Sequence, residues 1–180
     1  EFVAFADNVA LYIQELEDLI EKMRKETRVQ NAQLDEGIFE LALDPTKSLK
    51  APKRQAEVPH LNFAPLKNSL ARLKITAEKY NQTTGNRTLS AKDQTSVNQM
   101  LYMTERKLTR PHGLTGRSWY KHHIYAPGFY TGYGVKTIPG VREAIEIREF
   151  DEAGKQVTIA AEVLDSLTRQ IKAILTLTAT

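Results

Sequence analysis

Residues Ala160-Ala-Glu-Val163-Leu-Asp-Ser-Leu167-Thr-Arg-Gln-Ile171-Lys-Ala-Ile174 decide the fold class. Their apolar positions recur every three or four residues, the spacing that gathers side chains on one face of a 3.6-residue helix. The pattern predicts a last helix over 155–175. The same rhythm appears in Val9, Ile13, Leu16, Ile20 and Met23, which predicts a helix over 7–28 with Asp7 or Asn8 as its N-cap. It appears again in Leu66, Leu70, Leu73, Ala77 and Tyr80, which predicts a helix over 62–82. A further helix is expected after Ser90, an N-cap with Asp93 three residues on, its buried face marked by Val97, Leu101, Thr104 and Leu108. A shorter run from Asn31 to Leu43 carries Leu34, Ile38, Leu41 and Ala42 at helical spacing and stops at Asp44-Pro45, because the residue before proline is pushed out of the α region. Long helices with narrow apolar seams pack most simply side by side. The expected fold is therefore all-α: a four-helix bundle, with a long irregular loop rich in aromatic residues and glycine before the last helix.

That loop covers 109–150. It holds six of the nine glycines, four of the seven tyrosines, the only tryptophan and three of the four histidines. Irregular segments of this length inside one domain are more often functional than incidental. Within it, His123-Ile124-Tyr125 is the one strand candidate, and Pro139-Gly140 before Val141, Ala144 and Ile145 suggests a short helix near 140–147. Asp151-Glu-Ala-Gly154 reads as a turn. Residues 44–60, with Pro45, Pro52, Pro59 and several lysines and arginines, read as a surface insertion. An anionic docking site there would lack aromatic support.

Composition narrows the function. A chain of 180 residues is one domain by size, and 41% hydrophobic with 26% charged residues is an ordinary globular mixture. There is no cysteine, hence no disulfide framework, thiol nucleophile or thiolate zinc site. A formal net charge of +3 from 25 basic and 22 acidic residues is too balanced to argue a nucleic-acid partner. No apolar run is long enough for a transmembrane helix, so no membrane contact is expected of this segment. The start at Glu1, running straight into Phe2-Val3-Ala4-Phe5, reads as a segment of a longer or processed polypeptide.

Catalytic chemistry finds little support. His112, His122 and His123 lack metal-ligand spacing, and no His-Glu-x-x-His or Asp-rich loop is present. There is no Gly-x-Ser-x-Gly elbow, and Gly132-Tyr-Gly134 follows no strand-like run. No catalytic residue and no metal ligand is assigned. Asn81-Gln-Thr83 and Asn86-Arg-Thr88 are N-glycosylation triplets in a polar break, which points to a lumenal or extracellular setting.

The aromatic loop carries a resemblance. Tyr120-Lys-His-His-Ile-Tyr-Ala-Pro127, Tyr133 and Ile138-Pro-Gly-Val-Arg-Glu-Ala-Ile145, preceded by Glu105-Arg106 and Arg117-Ser-Trp-Tyr120, resemble the C-terminal domain of the glutamate carboxypeptidase and transferrin receptor family. The resemblance runs along the whole chain and is most specific over 105–146. It implies a helical dimerisation domain that forms a homodimer and packs on the peptidase domain of its own parent. The parent would hold two zinc ions on ligands this chain lacks, and would sit on the lumenal or extracellular side of a membrane through the secretory or vacuolar pathway. The resemblance also implies that the loop reaches the parent's substrate pocket, where a Lys-Tyr pair holds a substrate carboxylate. The matching positions here are Gly132 and Tyr133, so the tyrosine is kept and the lysine's charge-assisted hydrogen bond is not. Trp119, Tyr120, His122 and Tyr125 are expected to pack the loop or to form an interface. The alternative is a catalytically inactive, receptor-like parent whose helical domain docks another protein.

Overall fold

A computed structural model describes residues 1–41, 50–84, 89–129 and 134–179. The described chain is mostly helical: α1 (Phe2–Asp35), α2 (Ile38–Leu41), α3 (Ala64–Thr84), α4 (Ala91–Tyr102), α5 (Pro139–Glu146) and α6 (Phe150–Ala179). A 3-10 turn covers Glu105–Leu108, and two short strands, β1 (Tyr125–Pro127) and β2 (Val135–Thr137), pair antiparallel with Ala126 opposite Lys136. The chain divides into two compact units, Glu1–Gln14 with Leu61–Thr180, and Glu15–His60.

In the first unit α6 is the spine. Its seam residues Ala160, Val163, Leu167, Ile171 and Ile174 are all buried, and so are Val157 and Leu164. Against it lie α3, α4, α5 and the 3-10 turn. α3 brings its own seam of Leu66, Leu70, Leu73 and Ala77, all buried. At the edge of that contact Arg72 holds Asp165 through two hydrogen bonds of 3.0 and 2.9 Å. Two contacts tie the first turns of α1 to the middle and C-terminal part of α3: the Phe2 ring meets Tyr80 edge-on at 5.0 Å, and Lys74 pairs with Asp7 at 2.8 Å.

In the second unit, residues 50–60 run as an extended strap along α1. Asn31 reads the strap like a neighbouring strand, donating to the Gln55 carbonyl at 2.9 Å and accepting its N–H at 3.1 Å. Gln30 donates to the Lys53 carbonyl, Arg24 to those of Val58 and Pro59, and Arg54 pairs with Asp35. Val58 is buried, whereas the strap's charged side chains are exposed. Residues 44–49 of the expected insertion lie outside the described residues.

Several boundaries differ from the sequence expectation, each for a physical reason. α1 starts at Phe2 rather than near Asp7, since the N–H of Phe5 already reaches the Glu1 carbonyl and Asp7 serves Lys74 instead of capping. Residues 31–35 belong to α1, which ends where Gly37 takes a left-handed φ of 68° and closes the helix. Ser90 caps α4 as expected, its side chain accepting the Asp93 N–H. That helix stops at Tyr102, and Leu108 belongs to the 3-10 turn. Asp151-Glu-Ala-Gly154 is not a turn but the opening of α6, where two carboxylates sit favourably at the positive end of the helix dipole. The break falls earlier, at Arg148, whose φ is 65°. The strand lies at 125–127 rather than 123–125, and its pairing with β2 adds a small sheet to the all-α expectation.

Candidate functional site

The loop between the 3-10 turn and α5 is built around one buried cation. Arg117 is 3% exposed and reaches three ways. Its Nη2 donates to both oxygens of Glu143 at 2.6 and 2.7 Å, and its Nη1 donates to the Pro127 carbonyl at the end of β1. Its guanidinium lies 5.1 Å from the centroid of the Tyr120 ring and 5.6 Å from that of Phe129. Glu143 accepts in addition the N–H of Phe129 at 2.9 Å. One residue of α5 thus fixes both the Arg117 turn and the exit of β1, which is the stem of the segment that crosses to β2.

The turn before Arg117 depends on glycine. Gly113 has a φ of 67°, and a Cβ there would fall 2.3 Å from the Ser118 carbonyl oxygen and 2.7 Å from that of Tyr120. Those two atoms are backbone and cannot swing away. Ile138 enters α5 with a φ of 43°, unusual for a β-branched residue, and is held there by its N–H to the Ile124 carbonyl at 2.7 Å and by near-complete burial.

A second cluster joins the loop to the 3-10 turn. His122 Nδ1 accepts the N–H groups of Ile124 and Tyr125, at 3.2 and 3.1 Å, which places the imidazole proton on Nε2. That nitrogen lies 3.1 Å from Glu105 Oε1, too oblique for a good hydrogen bond, and the Tyr125 hydroxyl donates to the same oxygen. Donation to Glu105 raises the Tyr125 pKa to about 12, and burial adds to it. Burial lowers the His122 pKa against the opposing pull of Glu105. His123 is 4% exposed, with no hydrogen bond to Nε2 among the described residues. Its burial, reinforced by the positive charge of Arg110, lowers its pKa to about 4.

Of the residues singled out from sequence, Tyr120, His122 and Tyr125 belong to these two clusters. Trp119 is 69% exposed, its ring tilted against that of Tyr120 at 6.1 Å between centroids. Asn81 is exposed in the last turn of α3 rather than in an irregular break. Gly132, Tyr133 and Asn86 lie outside the described residues. Sequence reasoning missed Arg117 and Glu143 as a pair. Their only visible signal was that both stand inside the segments carrying the family resemblance. Among the described residues there is no group of three or more His, Asp or Glu placed to hold a metal, and no helix is long and apolar enough to cross a membrane.

Comparison with known proteins agrees with the resemblance. A probable glutamate carboxypeptidase of Arabidopsis thaliana is 52% identical over 50 residues, which cover 28% of this chain and 7% of that protein. A protein of the same description from Arthroderma benhamiae is 36% identical over 61 residues, covering 30% of this chain and 8% of its own length. The matched stretches thus span less than a tenth of either relative. Residues 61–172, more than half of the chain, match a domain family as a whole, and on that match the chain belongs to the transferrin receptor-like dimerisation domain family.

Proposed function

We propose that this chain is the non-catalytic helical dimerisation domain of a glutamate carboxypeptidase-like zinc peptidase, with its helices arranged as a four-helix bundle. The observation that carries the reading is the family match over residues 61–172, alongside relatives described as glutamate carboxypeptidases. Its action is mechanical: it pairs two copies and offers one loop, held at its base by Arg117 and Glu143. Zinc ions and catalytic carboxylates would be held by other parts of the parent, and no step is assigned to a metal here.

The loop reading rests on the stem. Arg117, Glu143 and the β1–β2 pair brace both ends of the segment that holds Gly132 and Tyr133. In this reading Tyr133 contacts substrate in the parent, and Asn81 and Asn86 carry glycans on the lumenal or extracellular side.

Sedimentation equilibrium of the chain tests the first part. A dimer in the micromolar range is expected, and a strict monomer at high micromolar concentration would overturn it. In the full-length parent, Tyr133→Phe should raise KM, and unchanged kinetics would remove the loop from the pocket. Loss of peptidase activity in an intact, metal-loaded parent would favour the receptor-like alternative.

A further inference from the structure

A cavity of about 220 Å³ opens between the Arg117 loop, α5 and the first turn of α6. Its lining is largely apolar, with Leu114 and Ala144 buried, and at Gly116 a side chain would grow towards the Phe129 ring, 3.9 Å from where a Cβ would stand. Its rim carries two large apolar side chains left in water, Phe129 at 49% and Ile147 at 58% exposure. Small-molecule pockets usually enclose about 300–1,000 Å³, so this cavity is suited to a single long side chain.

The polar lining is of one sign. Glu143 and Glu152 are the charged residues that line the cavity. The charge of Glu143 is already met by Arg117. Glu152 differs. Its Oε1 accepts from Thr115 Oγ1 at 2.9 Å and from Gln156 Nε2 at 2.8 Å, which fixes the carboxylate in place. Its Oε2 faces Lys155 Nζ at 3.8 Å, a loose contact from a lysine side chain 72% exposed. The hydrogen bonds from Gln156 and Thr115 hold the Glu152 pKa below the ordinary carboxylate range, so it is an anion at neutral pH.

We infer that this cavity receives a long basic side chain, arginine or lysine, presented by a polypeptide partner. The aliphatic stem would lie on Leu114, Ala144, Phe129 and Ile147, and the cationic head would meet Glu152 Oε2. Stem and head are then both matched, which neither an acidic nor a purely aliphatic side chain achieves. The inference does not depend on the peptidase reading.

The test uses n-butylguanidinium and n-pentylammonium as probes, with pentanamide as the neutral control and pentanoate as the anionic one. Each is titrated into the ¹⁵N-labelled chain while the amides of Gly116, Phe129 and Ile147 are followed. At least one cation should shift these amides with an affinity at least about threefold above pentanamide, as one partly exposed charge contact allows. Pentanoate should leave them unmoved, and added salt should erode the preference. Glu152→Gln should abolish the preference, and Lys155→Gln, which removes the competing cation, should increase it. Equal binding of pentanamide, or no shift at these amides with either cation, would overturn the proposal. So would a preference that survives in Glu152→Gln, or one that Lys155→Gln leaves unchanged. Which cation binds tighter tells arginine from lysine.

Discussion

The α3–α6 framework and the described residues of the loop over 109–138 are stabilised in different ways. Along α3 and α6 the stabilising contacts are many and interchangeable: a dozen apolar side chains, each buried against several others, with one partly exposed ion pair at the edge. The described part of the loop also buries apolar side chains, Leu114, Ile124, Ala126 and Ile138, but adds to them a set of directed polar contacts centred on Arg117 and Glu143. A framework of the first kind degrades gradually. A loop of the second kind holds its shape until one partner is removed, and is then left with an unpaired buried charge.

The largest effect should come from that pair. Arg117→Ala leaves Glu143 partly buried without its cation, and such losses cost about 3–5 kcal/mol. Hydrogen exchange should show the loss concentrated in 113–129 and α5, with α3 protected. Uniform loss across α3 and α6 would mean that loop and framework are not stabilised separately. Replacing both partners by apolar residues, Arg117→Met with Glu143→Leu, should recover most of the stability, because desolvation of the two charges offsets much of their attraction.

Leu164→Ala, in the fully buried spine, should cost about 2–5 kcal/mol through lost transfer energy and a residual cavity. Here the loss should be global, lowering the denaturation midpoint with the slope unchanged. A response confined to the loop would count against α6 as the common spine.

Acid should act on the loop first. His122 and His123 are held neutral below the ordinary histidine pKa of about 6.5. The unfolded chain therefore takes up protons before the folded one. Their contribution is complete above about pH 6.5 and falls as the pH drops towards 4, where His123 titrates in the folded state. The slope from His123 alone is at most about 1.4 kcal/mol per pH unit within that window. His123→Phe should flatten the stability profile between pH 6.5 and 4.5 in thermal melts, and an unchanged slope would contradict the assignment.

The smallest effect is local. Ser90→Ala removes the cap of α4 and should cost about 1 kcal/mol, read as fraying of residues 91–94.

The two regions were also unequally legible. The seams of α3 and α6 could be read residue by residue, because burial of a helix face imprints a 3.6-residue period on the sequence. The cap at Ser90 was legible for a similar reason: its partner Asp93 is three residues away. Helix ends were less so. The opening of α6 at Asp151-Glu152 looked like a turn because acidic and glycine residues mark both turns and helix starts. Only the left-handed Arg148 just before it separates the two cases. In the loop, the composition announced a contact region and the motifs announced a family. Neither revealed that the exposed Trp119 stands apart while its neighbour Arg117 holds the loop.

The sequence by itself determined the helical class, the buried faces of α3 and α6 and the family to which residues 61–172 belong, whereas of the face expected after Ser90 only Val97 and Leu108 are buried. These are local or linear properties: a repeat distance, a cap spacing, a string of residues matched in order. Tertiary structure alone decided that Arg117 meets Glu143 across 26 positions, that Asn31 ties down Gln55, and that Glu152 looks into an apolar cavity. A polar contact between distant residues leaves no period in the chain, since one arginine and one glutamate look like any others until the fold removes them from water.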